Sequence, residues 1–407
     1  MEKEVELRST LIALYEALKN AQSPYEKLKI YMNLGLTYLL LEESGDKREN
    51  IISALLNFDE GEKIARMLGN KEDMIEVELN KGFVFYRLAH LEEPDYNLEK
   101  AVSHYLTALS LLKETQNKGK LVNLYYNLGS TYLFWGKREN VEEAIKYFEE
   151  AVKLEEFAES KKIVGLIYHG LGVCYYMLGK FETDEAYFEN AVKNFRESLD
   201  YFGNEDILDI ASTKSHLASS ILEIAILQGK ESQFQEAYTL YNDALEIYKD
   251  KSTDDYGTTI FNMGMLFLNE SRLKEIGDSR RAELLKKAIG YFEEGVDYFP
   301  RDIHPEGFIR INYELAYAKR ELFFLRRESS LLNEVKEHIE NIVPMLDREK
   351  NPYMYLTSQF FCGEAYFYTG DKKRALGYFE ASYKVAESFD KELAQSISMI
   401  VEKVRSL

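Results

Sequence analysis

Apolar and small residues recur along this chain at steps of three, four and seven, the spacing that gathers side chains on one face of a helix. Two such patterns alternate. The first, Asn-x-Gly-x-x-aromatic, reads NLGLTY from Asn33, NKGFVF from Asn80, NLGSTY from Asn127 and NMGMLF from Asn262, with weaker copies GLGVCY from Gly170, HLASSI from His216, NYELAY from Asn312 and FCGEAY from Phe361. The second, Ala-x-x-x-aromatic-x-x-small, follows each time: Ala54, Phe58, Gly61; Ala101, Tyr105, Ala108; Ala144, Phe148, Ala151; Ala191, Phe195, Ser198; Ala237, Tyr241, Ala244; Ala288, Phe292, Gly295; and Ala375, Phe379, Ser382. Only the seventh copy departs, with Val335, Ile339 and Ile342. Each pattern predicts a helix, A and then B, whose small residues let the neighbour approach where the ring fills the gap.

The small residue of the first pattern falls at Gly35, Gly82, Gly129, Gly172, Ala218, Gly264, Glu314 and Gly363, so successive copies lie 47, 47, 43, 46, 46, 50 and 49 residues apart. The prediction is all-α: one continuous α-solenoid of about eight helix-turn-helix repeats, at 24–70, 71–117, 118–160, 161–205, 206–251, 252–301, 302–351 and 352–389. Residues 1–23 and 390–407 read as capping helices over its ends. Helix stops are expected at Gly45, Gly136, Gly179, Gly229 and Thr369-Gly370-Asp371. Pro24, Pro94, Pro300, Pro305 and Pro352 fall at helix starts or connections, while Pro344 should kink or end the seventh B helix early.

In this combination of small, aromatic and Ala positions the sequence resembles an array of tetratricopeptide repeats. Its period exceeds the family's usual length of about 34 residues, which makes it similar to the extended-helix versions in kinesin light chain, LGN-like adaptors and bacterial peptide-sensor arrays. The sixth copy holds the longest insertion, NESRLKEIGDSRRAELLKK, in helix A or its loop. The resemblance implies that the A helices line a concave groove, with the residue two before the small position pointing into it. That row is Asn33, Asn80, Asn127, Gly170, His216, Asn262, Asn312 and Phe361. An amide donates and accepts at once, so a row of them suits a peptide backbone whatever its side chains; the alternative is that these amides bond within and between helices. Tyr86, Arg87, Tyr126 and Lys319 join the Asn residues as candidate groove contacts, with Phe83, Ser130, Leu133, Tyr176, Met265 and Tyr368 beside them. Packing between lengthened helices is the competing explanation for the rings.

Composition narrows the partners. Among 407 residues, 51 basic and 70 acidic side chains leave a net charge of −19, which repels phosphate backbones and anionic membranes and favours a neutral to basic peptide or protein. The balance of 30 Tyr and 23 Phe against 6 Pro and 23 Gly suits long helices with short connections. A charged start and the lack of any apolar run near the roughly 18 residues that span a bilayer point to a cytoplasmic protein.

No catalytic constellation is legible, and an enzyme is not expected. The six histidines have no metal-ligand spacing, the glycines are absorbed by helix contacts and stops, and Cys174 and Cys362 read as packed thiols, so neither cofactor nor metal is expected. Trp135 reads as a ring covering a loop, or as an anchor on the groove rim. A carboxylate clamp of the co-chaperone kind would need cations after the row Asn, but Asn80 is followed on the next A helix by Asn123 and Asn127, and Asn127 by Leu166 and Gly170. The function expected is a non-enzymatic scaffold holding a peptide or extended segment, as a monomer or small homo-oligomer. The alternative is a stand-alone signalling receptor whose superhelix pitch changes on binding a short regulatory peptide.

Overall fold

The computed structural model describes residues 2–42, 46–115 and 117–406, and among them every regular element is helical. The chain forms two compact units, Met1–Asp206 and Ile207–Leu407. The first holds α1 (Glu2–Asn20) and four pairs: α2 (Pro24–Leu41) with α3 (Lys47–Leu68), α4 (Lys71–Ala89) with α5 (Pro94–Thr115), α6 (Lys118–Trp135) with α7 (Arg138–Val152), and α8 (Lys161–Glu182) with α9 (Glu185–Tyr201). The second holds α10 (Ile207–Gln228) with α11 (Glu231–Tyr248), α12 (Thr253–Glu270) with α13 (Asp278–Gly295), α14 (Pro305–Arg326) with α15 (Ser329–Ile342), α16 (Pro352–Tyr368) with α17 (Lys372–Phe389), and then α18 (Lys391–Ser406). The predicted all-α repeat fold is therefore present, with a helix covering the first pair and another the last.

Local chemistry explains where the helices begin. Ser23, Asn70, Asn117, Ser160, Asp184, Ser252 and Asp371 each accept a hydrogen bond from a backbone N–H of the first turn that follows. Gly136, Gly229 and Gly370 end A helices in the left-handed conformation, with φ of 71°, 67° and 94°. Gly179 does not. It lies inside α8 against the Phe188 ring, and Thr183 takes the left-handed turn at φ 56°, a costly place for a β-branched residue. Gly45 lies outside the described residues. Pro344 does shorten its helix: α15 stops at Ile342 and continues as a single tight turn, Val343–Met345. The sixth-copy insertion covers the end of α12, the connection 271–277 and the first half of α13, and Arg281 Nε of α13 donates to the Ser271 carbonyl in that connection at 3.0 Å.

Packing within six of the eight pairs depends on a glycine and a ring, while Ala218 and Ala316 take the small position in the fifth and seventh. A Cβ placed on Gly35, Gly82, Gly172 or Gly363 would lie 2.5–2.6 Å from the ring of Phe58, Tyr105, Phe195 or Phe379 of the same pair. Phe148 serves two pairs at once, since it closes on Gly129 of its own A helix and on Gly170 of the next. These rings are fully buried, and the glycines bring the backbones close enough to cover them.

The seventh pair corrects the sequence register by two residues. Glu78 Oε2 meets His104 Nδ1 at 2.7 Å between α4 and α5, and Asn312 Oδ1 meets His338 Nδ1 at 2.8 Å between α14 and α15, across the same separation of 26 residues. Glu78 stands four before Gly82, so the small residue of the seventh copy is the fully buried Ala316 and not Glu314. Glu314 then occupies the row position assigned by sequence to Asn312. Lys319 falls three after Ala316, the place where Tyr132, Phe267 and Tyr366 stack on Tyr147, Tyr291 and Tyr378.

Candidate binding face of the A helices

Neighbouring A helices touch, α4 with α6 and α6 with α8 in the first unit, α10 with α12 and α14 with α16 in the second. Their side chains turned away from the B helices make up the candidate face of each unit. Asn33 is exposed on α2, and Asn127 and Asn262 are half-buried on α6 and α12; none of these three amides makes a hydrogen bond among the described residues. Asn80, also half-buried, donates from Nδ2 to the Glu76 carbonyl of its own helix at 2.8 Å, which leaves its oxygen free.

In the first unit the structure brings several predicted residues together. Tyr86 is half-buried, edge-on to His90 at 5.0 Å and to Phe134 at 5.8 Å, and burial raises the pKa of its hydroxyl. Arg87 lies over the Phe83 ring at 5.9 Å and pairs with the buried carboxylate of Glu42. The Tyr126 ring lies 6.2 Å from Phe148 and is half-buried. Beside them stand four exposed apolar side chains, Leu36 at 41%, Leu40 at 53%, Phe83 at 38% and Phe134 at 40%. Sequence reasoning missed Leu36, Leu40 and Phe134. They stand one or five residues after a small position, and counting from Gly35 and Gly129 would have found them.

Asn312 and Lys319 take a different place from the groove contacts expected of them. Asn312 is buried, donating to the Phe308 carbonyl and bonded to His338. Lys319 is 3% exposed, with its ammonium 2.7 Å from Glu293 Oε1 and 2.5 Å from Glu334 Oε2, so the α14 lysine is clamped between the two B helices α13 and α15. Burial and the nearby Lys319 charge push His338 down to about 4, which keeps its ring neutral. The physical reason for both is the register: each sits on the side of α14 that faces B helices.

The remaining candidates for chemistry are packed. Cys174 and Cys362 are buried, and burial pushes both thiols up, Cys362 to about 12. Trp135 donates from Nε1 to Asp95 and stacks on Tyr132, which ties the end of α6 to the start of α5. Among the described residues no group of His, Cys, Asp and Glu could hold a metal ion, and no helix is long and apolar enough to cross a membrane.

Comparison with known proteins supports the fold. The tetratricopeptide-repeat family model matches residues 122–157, which span α6 and α7. No curated protein sequence matches the chain. Among solved structures, the chain is similar to the apo form of the quorum sensor NprR from B. thuringiensis, with 16% identity over 94% of this chain and 97% of that one and a TM-score of 0.53. It is similar to the apo form of RapI, with 14% identity over 96% and 98% and a TM-score of 0.55. A third likeness, at 15% identity and TM-score 0.53, is a signal transduction ATPase with numerous domains from Pyrococcus horikoshii that carries a tetratricopeptide repeat sensor; it covers 98% of this chain and 55% of the other. Eight helix pairs, six of them with a glycine against a ring, a family match on the third and whole-length likeness to solved structures give the chain the fold of tetratricopeptide-repeat proteins.

Proposed function

We propose that this protein is a non-enzymatic binding module that holds a peptide or an extended protein segment along the face of its A helices. The observation that carries the reading is the set of row amides without partners, Asn33 and Asn127 in the first unit and Asn262 in the second. Unpaired amides on a rigid helical face are ready to exchange water for peptide N–H and C=O groups. In the first unit they stand among exposed Leu36, Leu40, Phe83 and Phe134, and exposed apolar groups gathered on one face serve to capture apolar side chains. The ligand's backbone is read by the amides and its side chains by the apolar residues, with a neutral to basic segment favoured on this unit by the acidic chain.

The test is retention of a random hexapeptide pool by the full chain immobilised on beads. Asn33→Ala with Asn127→Ala removes two ligand hydrogen bonds at about 1 kcal/mol each, so retention should weaken roughly thirtyfold. Asn190→Ala, on the B helix α9, should leave it unchanged. Equal retention by the double variant, at unchanged helicity, would sink the reading.

A second reading is a signalling receptor that responds to its ligand by changing shape. It is favoured by the likeness to a quorum sensor in its apo form and to a protein with a tetratricopeptide repeat sensor. Small-angle scattering with the retained peptide separates the two readings, since a receptor compacts and a passive scaffold keeps its dimensions.

A further inference from the structure

The second unit's face differs in chemistry from the first. On α14, Arg310, Glu314 and Tyr317 follow at steps of four and three, which puts them in one stripe. The Arg310 guanidinium lies over the Phe261 ring of α12, 4.8 Å from its centroid. From the connection after α12, Arg272 reaches over Tyr317 at the same distance, and its Nη1 donates to Asn269 Oδ1. The two guanidiniums therefore flank Glu314, one a turn before it and one a turn after. Both are exposed, and neither has a carboxylate within 4.0 Å among the described residues, in a chain with nineteen net negative charges. Arg320, on the adjacent side of α14, is instead occupied by Glu364 and Glu321.

A guanidinium resting on a ring keeps its edge donors free, and two of them around one half-buried carboxyl leave a local excess of positive charge. Burial raises the pKa of Glu314, and the charges of Arg272 and Arg310 pull against that rise. The face continues on both sides of the stripe, through Met265 and Asn269 on α12 and through Thr357, Glu364 and Tyr368 on α16. A peptide can thus pass through without ending there.

We propose that Arg272 and Arg310 form a site for the carboxylate of an acidic side chain within the bound peptide, with Glu314 opposing it as a like charge. The site rests on the binding reading above and names the ligand chemistry that the second unit selects.

The experiment uses three random hexapeptide pools on the full chain. Two are blocked at both ends and differ only in a fixed Glu or Gln at one position; the third carries the Gln and a free C-terminus. The wild type should retain the Glu pool about tenfold better than the blocked Gln pool, the scale of one charge-assisted hydrogen-bonded contact. Arg272→Gln with Arg310→Gln should bring the Glu pool down to the level of the Gln pool, and Glu314→Gln should widen the preference. Equal retention of the two blocked pools by the wild type overturns the proposal, as does a preference that survives the double Arg variant or is met only by the free C-terminus. Retention of none of the pools overturns the binding reading as well, which separates the two failures. Should the double Arg variant not fold, Glu314→Gln decides alone: a narrowed or unchanged preference overturns the site.

Discussion

Replacing Phe148 with Ala is expected to cost about 3–5 kcal/mol, the range for emptying a buried aromatic site. The ring is fully buried and fills the space against Gly129 in its own pair and against Gly170 in the next, so its removal opens a gap that two pairs share. Gly129→Ala alone should also destabilise, by about 1–3 kcal/mol, because the new Cβ would stand 2.7 Å from the ring. In the Phe148→Ala background the sign should reverse. The methyl then enters empty space, and Ala gains up to about 1 kcal/mol over Gly in a helix interior. Trp135 is the chain's single tryptophan and ends α6, so its fluorescence during urea unfolding follows this pair directly. Additive losses in the double variant would show that the glycine and the ring do not depend on each other.

A comparably large effect is expected at Lys319, with an ordering that a groove-facing lysine would not give. Neutralising both partners with Glu293→Gln and Glu334→Gln leaves an ammonium that is 3% exposed without a counter-charge, a loss of about 3–5 kcal/mol. Lys319→Met should cost only about 1 kcal/mol, because both carboxylates are half-exposed and can turn to water while the thioether fills the lysine's space. Denaturant midpoints of the variants check this. A small effect of the double Gln change would mean that the lysine reaches solvent or ligand.

The contrast shows which parts of the molecule its sequence exposes. Helix pairs, their starts and the glycine-to-ring contacts follow from short-range patterns, because one side chain such as Phe58 fills the space that one glycine such as Gly35 leaves. The seventh register did not follow. There Ile339 replaces the ring and Lys319 replaces the aromatic that stacks in other pairs, so Asn312-Tyr313-Glu314 imitates the motif two residues early. The contact of Asn312 with His338, the burial of Ala316 and the clamping of Lys319 between B helices reveal the shift. The candidate face was legible in part: Asn33, Asn127 and Asn262 are without partners, whereas Leu36, Leu40 and Phe134 are apolar like the core and only their offset of one or five residues from Gly35 and Gly129 marks them as exposed. The isolated state of Arg272 and Arg310 was also hidden, since their helix and connection are rich in carboxylates and pairing is decided only in three dimensions.

The binding claim itself is tested most directly by mapping contacts. A hexapeptide pool bearing a photoreactive phenylalanine analogue, cross-linked to the full chain and digested for mass spectrometry, marks the residues that ligand side chains touch. Cross-links are expected on Leu36, Leu40, Phe83 and Phe134 of the A helices. Labelling confined to B helices, or competed by none of the unlabelled peptides, would contradict the account.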